Sequence, residues 1–149
     1  MARRIETRLE GPVLIEPEVF GDDRGFFLET FSRDAWRTHG VDEEFVQHNH
    51  SRSSRGILRG MHFQTSPGQA KLIRCARGEI FDVIVDMRPE SATFGQWEGF
   101  RLDDEKHRQL LVPIGFGHGF CVLSELADVC YLVSSYYDGA TEAGFDWRE

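Results

Sequence analysis

Apolar and polar residues alternate along most of this chain with a period of two, the signature of strands that bury one face. The segments RIETRLE, VLIEPEVF, GFFLETF, FVQHNHS, GILRGMHF, KLIRCAR, EIFDVIVDM, QWEGFRLD, GFCVL and DVCYLVSSYY all read this way. Turn-forming stretches, GDD, SPGQ, RG, RPES and PIGFG, separate many of them. One helix is predicted, with Ser32 capping RDAWRTH and Gly40 at its end. About ten strands with one or two short helices predict an all-β, antiparallel sandwich or barrel, with a jelly roll as the usual closure. The acidic run DDEKH reads as a solvated turn.

The same alternation sorts side chains onto faces. Phe45, Gln47, Asn49 and Ser51 point one way, and His62 and Gln64 share a face. Tyr131 and Tyr137 fall together, and Asp82 and Asp86 lie opposite Phe81, Val83 and Val85. On any one strand such polar residues read as a solvated face. Amides, a histidine and tyrosines on four strands together read as a polar pocket. His48 and His50 alternate away from Gln47 and Asn49, so they belong to the surface or to an interface rather than to an H-x-H metal pair.

Composition narrows the partners. The 149 residues fit one domain, 1–149, with 40% hydrophobic and 28% charged content. Seventeen basic against 25 acidic residues give a formal charge of −8, which argues against a nucleic-acid surface. No apolar run approaches the ~20 residues of a membrane span, and no signal peptide is legible in MARRIETRLE. The unpaired Cys75, Cys121 and Cys130 fit a reducing cytoplasm and read as small core residues.

PIGFGH, from Pro113 to His118, resembles the second motif of cupins, and Gly56, His62, Lys71 and Gly78 resemble the first by their spacing. Metal-binding cupins carry two histidines and a glutamate in that first motif. Here Gln64 stands at the second histidine and Lys71 at the glutamate, a set poorly suited to a divalent ion. No metal and no cofactor is therefore expected, against a metal-dependent cupin oxygenase.

A wider resemblance covers nearly the whole chain. QHNHSRSSRGILRGMHFQ, QAKLIRCARGEIFDVIVDMRPESATFGQW, PIGFGHGF and VCYLVSSYYDGATEAGFDW are similar, in order and spacing, to the dTDP-4-dehydrorhamnose 3,5-epimerase family. The resemblance implies a metal-free, cupin-type jelly-roll barrel, homodimeric and cytoplasmic. It implies inversion of C3, C5 or both in a nucleotide-linked 4-keto-6-deoxyhexose, as in dTDP-L-rhamnose biosynthesis. His62 would then be the base, Lys71 the group that stabilises the enolate and Tyr131 the acid on the opposite face. Arg24, Glu29, Gln47, Asn49, Arg59, His118 and Glu142 match substrate-contacting positions, and Tyr137 bounds the pocket. The alternatives are a ketoisomerase or single-centre epimerase on the same scaffold, or a sugar-nucleotide-binding cupin without catalysis.

Three expectations carry risk. Strict alternation places Arg59 opposite His62; either a bulge at Gly60 brings both to one side, or Arg59 reaches phosphate at the rim. Apolar surface in VLIEPEVF and GFFLETF predicts a homodimer by strand exchange, with Arg24 or Glu29 in the partner's pocket. Finally, a base such as His62 is best oriented by a carboxylate. In the resembling family that carboxylate lies beyond the tryptophan matching Trp147, so the family's C-terminal segment is expected to be missing from this chain, a loss that would weaken catalysis unless Asp82 substitutes.

Overall fold

The protein is described from a computed structural model that covers residues 1–65 and 67–148. The N-terminal third contains β1 (Arg3–Ile5), β2 (Val13–Glu16), β3 (Val19–Asp22), β4 (Gly25–Leu28) and helix α1 (Arg33–Thr38). Strands β5 (Gln47–Ser54), β6 (Leu58–Gln64), β7 (Lys71–Arg77) and β8 (Glu79–Asp86) follow. The chain ends with β9 (Trp97–Asp103), β10 (Gln109–Val112), β11 (Phe116–Val122), β12 (Leu126–Val133) and β13 (Glu142–Gly144).

The expected antiparallel barrel is formed by two facing sheets. One has six strands in the order β1-β2-β10-β7-β12-β5, the other five in the order β13-β6-β11-β8-β9. Leu14, Ile73, Leu110 and Val129 of the first sheet meet Ile80, Ile84, Phe100, Leu102 and Phe120 of the second in one apolar core. Alternation places the intervening residues outside, where water covers them or another element must.

Helix α1 covers part of that outer surface. Trp36, 1% exposed, packs with Val13, Ile15, Leu72 and Leu111 on the back of the six-stranded sheet. Its Nε1 donates to Gln109 Oε1 at 3.0 Å, and Gln109 Nε2 donates to the Thr30 carbonyl at 2.6 Å, so the buried amide is satisfied on both sides. Ser32 stands at the N-cap as expected, but its side chain makes no capping bond. Its carbonyl instead accepts the Trp36 N–H at 2.8 Å. Gly40, at φ +97°, ends the turn as the sequence suggests.

Several boundaries differ from the sequence reading. VLIEPEVF is two strands, divided at Pro17 and Glu18, and its second half pairs with β4 in a separate hairpin. Phe45 lies before β5 and packs outside, edge-on to Phe31, rather than on the face of Gln47 and Asn49. Strand β12 stops at Val133, so Tyr137 is not on the Tyr131 face by strand register. The turn in DDEKH is solvated through Lys106, but His107 is 3% exposed and stacks 4.9 Å from Phe26 of the hairpin.

Candidate active site

Rows of side chains on the inner faces of the two sheets gather polar groups inside an otherwise apolar barrel, and the space they line is the candidate substrate cavity. On the six-stranded sheet, Val133 pairs with both Lys71 and Gln47, and Tyr131 pairs with both Ile73 and Asn49. Paired residues share a face, so Lys71, Gln47, Tyr131 and Asn49 all point inward. On the five-stranded sheet, His62 stands between Gly144 and His118, and Gln64 opposite Glu142. Asp82 lies one row deeper, opposite Phe120 and Phe100.

The question of Arg59 is settled by a bulge. His118 pairs with His62 while Phe120 pairs with Arg59, so three steps on β6 span two on β11. The extra residue returns Arg59 to the face of His62. Gly60 makes this possible: at φ +123°, a Cβ there would meet the Gly119 Cα at 2.6 Å and the His118 carbonyl at 2.7 Å. Arg59 Nε then donates to Ser53 Oγ on β5 at 2.8 Å, joining the two sheets at the rim.

Depth separates the roles these groups can play. His62 is exposed and makes no side-chain hydrogen bond among the described residues, so its ring nitrogens are open to a ligand. His118 is 8% exposed, and its Nε2 lies 2.8 Å from Oδ2 of the fully buried Asp82. Asp82 therefore serves His118 in this structure, and does not supply the carboxylate sought for His62. Lys71 is half-buried, with its Nζ 5.9 Å from the centre of the Tyr131 ring. Burial lowers the Lys71 pKa, while the charges of Asp82 and Glu142 oppose that effect.

The remaining expected residues divide. Gln47 Nε2 donates to Asn49 Oδ1 at 2.8 Å, which fixes both amides on the cavity wall. Tyr137, 60% exposed, lies in the connection after β12 and donates to Glu142 Oε2 at 2.7 Å. Donating this bond to the Glu142 carboxylate raises the pKa of the phenol. Arg24 and Glu29 are exposed and are not brought to His62 within this chain. Arg24 sits in the β3–β4 turn with its guanidinium on Asp22.

Two partners were missed in the sequence: the Asp82–His118 pair and the Ser53 hydroxyl beneath Arg59. Asp82 had a signal, an acid alternating with Ile80 and Ile84 on a core-facing strand. Among the described residues, no three His, Cys, Asp or Glu side chains gather as a metal site would require. No helix among the described residues is long and apolar enough to cross a membrane.

A cavity with an accessible imidazole, a desolvated amine, a phenol beside it and an arginine at the rim can move protons on a bound, polar, anionic substrate. The comparisons with known proteins agree with that chemistry. The family model for dTDP-4-dehydrorhamnose 3,5-epimerase matches residues 6–149. The chain is 48% identical over 147 residues to the dTDP-4-dehydrorhamnose 3,5-epimerase of Methanothermobacter thermautotrophicus, covering 99% of this chain and 80% of that protein. It is 47% identical over 138 residues to a dTDP-4-dehydrorhamnose 3-epimerase from Streptomyces niveus, covering 91% of this chain and 67% of the relative. The crystal structure of the Bacillus anthracis dTDP-4-dehydrorhamnose 3,5-epimerase with TDP and PPi bound matches with a TM-score of 0.97 at 47% identity. That match covers 100% of this chain and 86% of the other. By family model, sequence and fold alike, this chain belongs to the dTDP-4-dehydrorhamnose 3,5-epimerase family.

Proposed function

We propose that this protein epimerises a dTDP-linked 4-keto-6-deoxyhexose at C3, C5 or both, in the synthesis of dTDP-L-rhamnose or a related deoxysugar. The observation that supports the reading is that His62, on one sheet, and the Lys71–Tyr131 pair, on the other, lie on strand faces turned towards the barrel interior.

Epimerisation beside a ketone needs a base, a charge for the enolate and an acid on the other face. His62 takes the proton from the carbon next to the C4 ketone, and the released electron pair moves onto O4. A ketone α-proton is far less acidic than imidazolium, and each unit of mismatch costs about 1.36 kcal/mol. Lys71 offsets part of that cost by holding the oxyanion at O4. Tyr131 then gives its phenolic proton to the opposite face of the carbon, which inverts the centre.

Arg59, at the rim, suits the pyrophosphate through charge-assisted bonds. His118, Gln47, Asn49 and Glu142 hold the sugar and nucleotide, and Tyr137 bounds the mouth. The pocket is completed in a homodimer. Hairpin β3–β4 exposes Phe20, Phe26 and Phe27 at 54%, 59% and 71%, more apolar surface than a two-stranded ribbon leaves in water. Burying it against a second copy would carry Arg24 and Glu29 to the partner's cavity. The three free thiols suit a reducing cytoplasm.

Incubation with dTDP-4-keto-6-deoxyglucose in heavy water, followed by proton NMR, tests the assignment. Deuterium is expected at C3 and C5 with inversion. The Streptomyces niveus 3-epimerase relative favours one second reading, in which only C3 exchanges. Binding without exchange at either carbon would refute both.

A further inference from the structure

Within that epimerase reading, we infer that Asp82 is a positioning residue that fixes the charge on Lys71 and the ring of His118 from beneath the cavity. Asp82 is completely buried, yet only one of its oxygens has a partner. Oδ2 meets His118 Nε2 at 2.8 Å, while Oδ1 is buried with no hydrogen bond among the described residues. A buried carboxylate left half-unsatisfied is costly unless it acts on something by charge. The cation that points into the same barrel interior and responds to its charge is Lys71.

The surroundings of Lys71 make this dependence sharp. Its neighbours on β10 and β12, Val112 and Val133, are apolar and buried and offer the amine nothing. Tyr131 of β12 presents a ring face at 5.9 Å. Across the cavity, β6 and β11 present the imidazoles of His62 and His118, with the latter already engaged by Asp82. Among the described residues, the carboxylates whose charge opposes the desolvation of the amine are Asp82 of β8 and, more weakly, Glu142 of β13. Glu142 is exposed and shares its charge with Tyr137. Asp82 is therefore the buried carboxylate whose charge opposes the desolvation of the Lys71 amine, and a charged Lys71 is what the enolate step requires. The same carboxylate meets His118 Nε2 at 2.8 Å and so fixes the orientation of that ring.

The chain contains only two lysines, Lys71 and Lys106, so ¹³Cε-lysine labelling gives two NMR signals that Lys106→Arg assigns. The wild type and Asp82→Asn are titrated without substrate, then assayed for epimerisation across pH. Asp82→Asn should move the Lys71 midpoint to lower pH and move the alkaline limb of kcat/KM, which reports the free enzyme, by the same amount. Asp82→Glu, which keeps the charge, should restore both towards wild type. Asp82→Ser gives the same test should the asparagine variant not fold. A Lys71 midpoint unmoved in a folded neutral variant overturns the inference, as does a kcat/KM limb that moves without it. The titration needs no turnover, so absence of epimerisation in the wild type would strike the epimerase reading and leave the Asp82–Lys71 coupling still measured.

Discussion

Asp82 and Asp86 are four residues apart on β8, point to the same inward face and are both 0% exposed, yet their surroundings differ in kind. Asp86 is saturated. It accepts the Arg88 backbone N–H at 3.0 Å, both Arg88 guanidinium donors at 2.9 Å, and the hydroxyls of Ser91 and Thr93. These bonds hold its carboxyl well below the usual carboxylate range and fasten the β8–β9 connection to the barrel. Asp82 has one imidazole and an unbonded oxygen. A carboxylate whose bonds are all local is spent on structure. One that is buried and half-free is available to other groups across the cavity. The two ends of one strand thus divide anchoring from chemistry.

The largest effects test the cavity end. His62→Ala should abolish deuterium uptake at every exchanging carbon while dTDP still binds, because no other described side chain offers an accessible imidazole beside Lys71 and Tyr131. Isothermal titration separates binding from exchange, and unchanged exchange would remove His62 as the base. Lys71→Met should slow exchange itself by about 10²–10³, the loss seen when one oxyanion donor is removed. Tyr131→Phe should keep proton abstraction and wash-out but lose inversion. Identical behaviour of these two variants would mean that the division between enolate stabiliser and acid is wrong.

The next effect belongs to the anchoring end and is one of stability. Asp86→Asn leaves the Arg88 guanidinium with a poorer partner and should cost about 2–3 kcal/mol, less than a wholly buried pair because Arg88 is 37% exposed. The pH dependence has a definite sign. The folded pKa of Asp86 is depressed, so its contribution is complete above the unfolded value of about 3.9 and is lost as pH falls from there towards the folded value. Urea melts should therefore show the gap between wild type and Asp86→Asn narrowing below about pH 4. Asp82→Asn should cost less than Asp86→Asn, since the isosteric amide can still bond His118 and what is lost is the charge acting on Lys71 rather than a set of hydrogen bonds. Equal costs at the two positions would erase the distinction.

How far this division could be read from the chain depends on local signals. The alternation of EIFDVIVDM places Asp82 and Asp86 together, and GILRGMHF holds the glycine that a bulge needs. What period-two patterning misses is equally physical. QLLV became β10 unannounced because all four residues are buried, so nothing alternates. Glu142–Gly144 is three residues of low strand propensity, held by pairing with β6. Tyr137 was carried past the end of β12 because alternation does not mark where a strand stops. The partners of Asp82 and Asp86 lie at different distances: Arg88, Ser91 and Thr93 follow within seven residues of Asp86, while His118 is 36 positions from Asp82. Local bonding is legible in sequence; pairing across strands is not.

The smallest expected effect concerns Arg24, which lies outside both ends of β8. Its side chain is 91% exposed at the tip of the β3–β4 hairpin, tied only to Asp22, so removing it should leave the fold of its own chain untouched. If the hairpin reaches a second copy, Arg24→Ala should lower kcat/KM about tenfold, the worth of one charge-assisted bond to an anionic substrate. Mixing decides which chain the arginine serves. Arg24→Ala should retain about a tenth of the activity and His62→Ala none, and both are dissociated and reassociated together. In a mixed dimer, one site receives His62 from the first variant and Arg24 from the second and is intact. Random pairing makes about a quarter of all sites intact, so activity should recover to about that fraction of wild type. An arginine acting within its own chain creates no intact site, and the mixture would show only the average of its parents. Sedimentation as a monomer at micromolar concentration would refute the arrangement without any assay.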